Sequence, residues 1–353
     1  MNTKRVDLIA SAVLYEGYML YPYRRSSVKN RQRFNFGVLY PKPYSQAQAG
    51  SDAWSLETEC LVQSVSLSAI GVRLRFLKLV DRSLRKLTER MADRDQAPIY
   101  TPVPVLEVDG KVFLPWQEAV EREVEVPACN LLALTAAPVE MEFAFPASEE
   151  LELVRDAGGR LVGQIARKQE SVEGRIEIAA VRAAEGVFKI HVGVKNLTLL
   201  EEAAGQVNRD PALMRSLVSV HVLLGAENGQ FVSLLDPPET LRELAASCQN
   251  VGVWPVLVGA VGERDTMLAS PIILYDYPQI APESPGDLFD GTEIDEILAL
   301  RILTMTDDEK SEMRNTDDRA RRILERTENL PIEHLMKLHG TLRELRPFKQ
   351  ETP

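Results

Sequence analysis

The stretch VLEVDGKVFL, residues 105–114, carries the clearest signal of local structure in this chain. Its central pair, Asp109-Gly110, suits a two-residue turn whose residues need positive φ. Both flanks are rich in residues that favour strands. The stretch therefore predicts a β-hairpin and an antiparallel sheet in this part of the chain.

Working outward from the hairpin, further stretches show the features of half-buried strands. Strands are predicted at Val72–Phe76, Glu121–Val126, Glu142–Phe145, Val187–Val194 and Ser219–Leu224. Turn signals are predicted to separate strands at Gly158-Gly159, Glu185-Gly186 and Asn228-Gly229. Two short helices are predicted to begin at Asp210-Pro211 and Asp236-Pro237, because an acidic cap followed by proline is typical of helix starts. Many strands with few helices between them favour an antiparallel sandwich or barrel over a parallel α/β sheet.

The character of the sequence changes near residue 280, where prolines predict a stiff linker. Helices are predicted to start at Thr292, at the capping box Thr306–Glu309, at Thr316 and at Pro331. The fold class is therefore α+β, with a β-rich, antiparallel sandwich-like body and a small C-terminal helical domain. The predicted domains are an N-terminal β-rich domain over 1–130, a second β-rich region with the two short helices over 131–280, and an acidic helical domain over 281–353.

Composition points to a soluble protein. The chain has 353 residues, 45% of them hydrophobic, and a formal net charge of −11. Its apolar runs are too short for a membrane span, and its N-terminus lacks the pattern of a secretory signal. The three cysteines are far apart and form no CxxC pair. These features predict a cytoplasmic protein without a membrane span.

No recognised catalytic pattern occurs in the sequence. Phosphate-binding glycine loops, GxSxG and HExxH are all absent. His191 and His221 lie in predicted strands, where we expect structural histidines with satisfied hydrogen bonds. His334 and His339 do not share a helical face, so they do not suit a common metal ion. The sequence therefore predicts no catalytic residue, no metal and no cofactor, and favours a non-enzymatic protein.

A basic segment near the N-terminus stands out from this acidic background. Residues 17–51 contain no acid and carry a charge of +6, which leaves −17 for the rest of the chain. Five of the nine tyrosines lie in the same segment. Arginine and tyrosine are typical anchors of protein interfaces. We therefore predict a contact surface, called the basic strip, formed by Tyr21, Tyr23, Arg24, Arg25, Lys29, Asn30, Arg31 and Arg33.

A second candidate contact surface lies where the predicted linker meets the acidic helices. Residues 281–318 carry twelve acids and three basic residues, a net charge of −9. The predicted contact residues are Asp276, Tyr277, Asp287, Asp290, Glu293 and Asp295.

Four interpretations of the basic strip remain open at this point. The strip could pair with acids of its own molecule, or bind a protein partner with an acidic surface. Nucleic acid is disfavoured, because the −17 on the rest of the chain would repel phosphates. In the enzymatic alternative, the acids of residues 287–296 face the arginines of residues 24–33 across a cleft that binds a small anion.

Four stretches carry a resemblance to a known family: LYEGYMLYPYRRSSVKNRQRFNFGVLYP (14–41), FVSLLDPPE (231–239), ASPIILYDYPQIAPESPGDLFDGTEIDEILALRILTMTDDEK (269–310) and LMKLHG (335–340). Together they resemble an uncharacterised bacterial family encoded beside the genes of high-affinity nickel–iron uptake hydrogenases. The resemblance spans essentially the whole chain and implies a cytoplasmic accessory protein that helps to make, assemble, dock or regulate a hydrogenase. It also implies a protein partner, either a hydrogenase subunit or a maturation factor.

Overall fold

The computed structural model describes residues 3–14, 36–89, 98–200, 208–279, 299–314, 318–331 and 333. These residues fall into two compact units, one that extends to residue 278 and one that begins at residue 279. The first unit contains every strand of the described residues, and the second contains helices.

The described residues form thirteen strands: β1 Ser55–Glu89, β2 Ile99–Val103, β3 Leu106–Val108, β4 Lys111–Phe113, β5 Trp116–Asn130, β6 Val139–Phe145, β7 Ser148–Arg155, β8 Leu161–Gln169, β9 Val172–Ala184, β10 Val187–Asn196, β11 Val218–Phe231, β12 Trp254–Leu257 and β13 Thr266–Ser270.

The described helices are short: α1 Thr3–Leu14, α2 Lys42–Ala47, α3 Leu131–Ala136, α4 Arg209–Leu213, the 3-10 turn Glu239–Leu241, α5 Arg242–Ala246, α6 Asp307–Arg314 and α7 Asp318–Glu328. Residues 299–303 are also helical.

The 35-residue strand β1 organises the sheet. Along one side it pairs in turn with β10, β5 and β2, and along the other with β11 and β8. Eleven strands join in one antiparallel sheet, while β3 and β4 form a separate hairpin. β1 therefore joins strands from both sides of residue 130, and the described residues up to 278 form one unit.

The sheet curls around its main core. Cys60, Val72 and Phe76 of β1 lie in one buried cluster with Met267 of β13 and Ile178 of β9. Partly buried side chains of β6 pack on the same cluster, although β6 and β13 lie towards opposite ends of the strand order. The sheet is therefore a half-barrel, and the face that bears this cluster is called the inner face.

Helix α1 covers part of the outer face. Val6, Ile9 and Val13 pack against Leu223 of β11 and Leu268 of β13. These helical positions recur every three to four residues, so they form one apolar stripe that faces the sheet. Burial of this stripe accounts for a helix that the sequence interpretation did not predict.

Alternating charges of β1 and β5 meet on the outer face. Arg73 is the register partner of Glu125, and Arg75 is the partner of Glu123. The Arg75 guanidinium lies 3.0 Å from the Glu121 carboxylate. Arg73 lies 2.7 Å from Asp7 of α1, which ties the helix to the sheet. The two alternating stretches read from the sequence are thus neighbouring strands with complementary charges.

The predicted hairpin is confirmed. β3 and β4 pair around Asp109 and Gly110, whose φ angles are 50° and 75°. Leu106 and Val108 pack with Leu84 of β1 in a small core at the distal end of the sheet. The strands predicted at other alternating stretches are also present.

The turn expected at Asn228-Gly229 is wrong. Both residues lie inside β11, beside a register shift between Ser64 and Ala69 of β1. Asn228 has a φ of 54°, and its carbonyl accepts a hydrogen bond from Ser68. The Asn-Gly pair therefore lies at an irregularity in the pairing of β11 with β1 and does not end a strand.

The capping box of the C-terminal unit is confirmed. The Thr306 hydroxyl accepts a hydrogen bond from the Glu309 N–H at 3.3 Å, and the Glu309 carboxyl group accepts one from the Thr306 N–H at 2.7 Å. The helices predicted at Asp210 and Asp236 also exist, although the first begins at Arg209. The predicted linker and the helices expected at Thr292 and Pro331 lie largely outside the described residues.

The β-rich, antiparallel part of the predicted fold class is confirmed. The strands form one curled sheet, accompanied by short helices, some of them C-terminal. The sandwich-like packing and the three domain ranges stay predictions.

Candidate partner-binding site

Most residues predicted to bind a partner lie outside the described part of the chain. This holds for the whole basic strip and for the acids Asp287, Asp290, Glu293 and Asp295. Asp276 and Tyr277 are described, and both lie in the segment that follows β13. This segment, residues 271–277, is called the arm.

Asp276 attaches the end of the arm to the body. Its Oδ1 accepts a hydrogen bond from the Leu257 N–H at 2.8 Å, and its Oδ2 accepts one from the Ser233 hydroxyl at 2.5 Å. The next residue, Tyr277, donates its N–H to the Leu257 carbonyl at 2.7 Å and packs against the inner-face core. Because three hydrogen bonds hold Asp276 and Tyr277, the C-terminal end of the arm is fixed to the body.

Side chains of the arm alternate between the body and the solvent. Ile272 and Leu274 pack against the cluster beneath α1. Ile273 and Tyr275, on alternate positions, are 76% and 86% exposed. The arm therefore presents two large apolar side chains on a backbone that is held from the other face.

Tyr275 has the chemistry of an interface anchor. A tyrosine ring provides a large contact area with few rotatable bonds, and its hydroxyl can hydrogen-bond to a partner. Single exposed apolar side chains are common on protein surfaces. Two of them side by side on an anchored segment mark a candidate contact surface. The exposed face of the arm therefore suits binding.

The residue before the arm belongs to a buried polar cluster. The Ser270 Oγ lies 3.2 Å from Nε2 of His221, and Nδ1 of His221 lies 2.8 Å from the Ser219 carbonyl. Burial lowers the pKa of His221 to about 4, opposed by the bond to Ser219 and assisted by Arg75. The imidazole is thus neutral near pH 7, donating to the carbonyl and accepting from the serine.

A serine–histidine pair can act as a nucleophile only where substrate reaches it. Both Ser270 and His221 are fully buried. The pair therefore holds the C-terminal end of β13 in place. The expectation that His221 is a structural histidine is confirmed.

A buried lysine lies on the inner face. Lys78 is 1% exposed, and its ammonium group donates to the carbonyls of Phe145 and Pro146 at 3.2 and 3.1 Å. Burial lowers its pKa to about 8, with Arg122 adding to the shift and Glu170 opposing it. These bonds attach the turn between β6 and β7 to β1, so the lysine has a structural role that accounts for its burial.

A surface cavity of about 260 Å³ opens where β5, β1 and β11 meet. Gly71 and Gly225, which pair across two strands, leave space on its floor. Glu125 and Glu227 are exposed at its rim, whereas Arg73 is already paired with Asp7. Small residues beside a ladder irregularity are sufficient to create this depression.

The described residues contain no group of three or more His, Cys, Asp or Glu side chains placed to hold a metal ion. Cys60 is buried, and Cys129 and Cys248 are half-buried free thiols. Burial raises the pKa of the Cys248 thiol to about 11, so this side chain is a poor nucleophile near pH 7.

No protein-family model matches the chain, and no curated protein is significantly similar to it. Among the described helices, none is long and apolar enough to cross a membrane.

Sequence reasoning placed contact residues at the end of the arm and missed the exposed pair before it. Asp276 and Tyr277 are engaged in contacts within the body, while Ile273 and Tyr275 point to solvent. The signal was present in Ile272–Tyr275, a run of large apolar residues whose alternate positions face opposite sides in an extended chain.

Proposed function

We propose that this protein is a non-enzymatic accessory protein that binds another polypeptide during the assembly, maturation or regulation of a nickel–iron hydrogenase. The partner is a hydrogenase subunit or a maturation factor. The sandwich-like packing of the body and the helical C-terminal domain are part of the same proposal.

The observation that carries the binding function is the anchored arm. Asp276 holds the C-terminal end of the arm to the body, while Ile273 and Tyr275 face solvent. A pre-organised segment loses little conformational entropy on binding, which favours affinity. The basic strip, with its arginines and tyrosines, supplies the second proposed contact surface.

The hydrogenase connection is supported by a different observation. It rests on the resemblance of four stretches of this chain to the family encoded beside uptake hydrogenase genes. One of these stretches, residues 269–310, includes the whole arm. The partner and the contact surface are therefore proposed on separate grounds.

The proposal is tested by affinity purification of the tagged full chain from its native host. We expect hydrogenase subunits or maturation factors to be recovered with the wild-type chain and identified by mass spectrometry. The variants Ile273→Ser/Tyr275→Ser and Arg24→Glu/Arg31→Glu should each reduce this recovery about tenfold, because loss of interface anchors costs more than 1 kcal/mol.

The matched control is Val181→Ser, which removes an exposed apolar side chain from β9. Its recovery should equal that of the wild type, and circular dichroism should show all variants folded. Equal recovery with every variant would overturn the proposed contact surfaces. Recovery of a partner unrelated to hydrogenase would overturn the hydrogenase connection and leave the binding function standing.

A further inference from the structure

Strand β7 lies at an edge of the described sheet. Among the described residues it pairs with β8 alone. Its first six residues, 148–153, are all exposed, and Leu151 and Leu153 are each 51% exposed on one face. Proline and lysine commonly protect natural edge strands, and β7 contains neither; its pairing with β8 is regular from Ser148 to Val154, with a register shift between Val154 and Arg155.

The residue pattern of β7 is complementary to itself. If two copies pair in antiparallel orientation about Glu152, Leu151 of each copy lies opposite Leu153 of the other. Glu149 then lies opposite Arg155, so two oppositely charged pairs flank two apolar pairs on the same face. Shifting the centre by one residue, to Leu151, instead places Glu150 opposite Glu152.

We propose that β7 pairs with β7 of a second copy of this chain, forming a symmetric dimer centred on Glu152. The sheet then continues across the two-fold axis, and each edge provides hydrogen-bond partners for the other. This inference is independent of the proposed hydrogenase-related function.

The like charges at the centre of the pairing are already compensated within each copy. The Glu152 carboxylate lies 2.7 Å from the Arg167 guanidinium, which also lies 3.0 Å from Glu118. Glu149 similarly pairs with Arg85 at 2.5 Å and has a second carboxylate oxygen to offer to Arg155 of the second copy. Each central glutamate thus brings its own counter-charge to the interface.

Three other edges of the described sheet, β2, β12 and β5, fit a second copy less well. β2 contains Pro102 and β12 contains Pro255, and proline lacks the N–H that a new ladder needs. Pairing of two β5 strands about Glu123 would bring Glu121 opposite Glu125. Like charges directly opposite each other are destabilising, so this pairing of β5 has more repulsive pairs than the pairing of β7, which has one at Glu152.

The mass of the full chain in solution tests the proposal, measured by sedimentation or light scattering. We expect the wild type to have twice the monomer mass of 39.5 kDa. Arg155→Glu places two glutamates opposite each other and should raise the dissociation constant about tenfold. Glu149→Arg/Arg155→Glu restores opposite charges and should restore the dimer.

Removal of the apolar pairs provides a second test of the proposed dimer. Leu151→Gln/Leu153→Gln should yield a monomer, while the control Val181→Gln on β9 should leave the dimer intact. A monomeric wild type at every concentration, or a dimer that none of the β7 variants weakens, would overturn the proposal.

Cysteine cross-linking tests the register. In a background where Cys129 and Cys248 are serine, Glu152→Cys places two thiols opposite each other, within about 5.5 Å between Cβ atoms. Oxidation should join the two copies at position 152 and fail with Glu150→Cys, whose two copies are separated along the strands. Equal cross-linking at both positions, or none at position 152, would exclude this register.

Discussion

Asp276 is the residue on which the geometry of the arm depends. Its carboxyl group accepts from a backbone N–H of β12 and from Ser233, and the following residue, Tyr277, has a φ of 56°. Positive φ is costly for a residue with a large side chain. The hydrogen bonds of Asp276 therefore hold a turn that the local backbone would not adopt alone.

We predict that Asp276→Ala lowers the free energy of unfolding by about 2 kcal/mol, because the Leu257 N–H and the Ser233 hydroxyl lose their acceptor. Tyr275→Ala is the matched control. Its side chain is 86% exposed, so the change should stay within about 0.5 kcal/mol. Urea unfolding measures both, and equal stability of the two variants would contradict the proposed role of Asp276.

The buried Lys78 is expected to make the free energy of unfolding depend on pH. Its folded-state pKa is about 8, whereas an unfolded lysine has a pKa of about 10.4. Between these values the unfolded chain binds more protons than the folded chain, so this group makes the free energy of unfolding rise with pH. Below pH 8 both states hold the proton and the contribution is constant.

Lys78→Met removes that contribution. The stability of the wild type relative to Lys78→Met should therefore increase as the pH is raised from about 8 to about 10. Urea unfolding of both proteins across this range measures the difference. Parallel stability profiles would show that Lys78 is not the source of the pH dependence.

At the scale of elements, the β3–β4 hairpin shows local chemistry acting as predicted. Gly110 has a φ of 75°, and an added Cβ there would meet no atom within 4 Å. Gly110→Ala should therefore destabilise the body by about 1 kcal/mol through backbone strain alone. Gly110→Asn should recover most of this loss, because asparagine tolerates the left-handed region better than alanine. Thermal unfolding measures both, and equal loss in the two variants would point to a cause other than φ.

Local patterns predicted the strands well, because alternation reflects which face of a sheet is buried. The stretches Val72–Phe76 and Glu121–Val126 are both strands, and they pair with each other. Helix α1 was missed, since its apolar run was judged only as a possible signal peptide. The Asn228-Gly229 pair was misread, because the same dipeptide that makes hairpin turns also fits a ladder irregularity.

At the scale of the whole molecule, β1 could not have been predicted from local signals. Its 35 residues include Gly71 and several polar positions, and its continuity depends on pairing with five other strands. Those partners come from residues up to 231, far along the chain. Strand order therefore depends on long-range packing that periodicity does not report.

The same limit applied to the candidate site. Exposure of Ile273 and Tyr275 depends on α1 and β12, which cover the opposite face of the arm. The sequence drew attention to this region through its tyrosines and acids, and only the packing separates anchoring residues from exposed ones.

The central claim, that the exposed face of the arm contacts another polypeptide, is tested most directly by photo-crosslinking in the native host. A benzoylphenylalanine at position 275 is compared with one at position 181 in β9, four strands away from β13 in the sheet. We predict a crosslink from position 275 to a hydrogenase subunit or maturation factor, and none from position 181. No crosslink from position 275 in folded protein, or the same products from both positions, would contradict the claim.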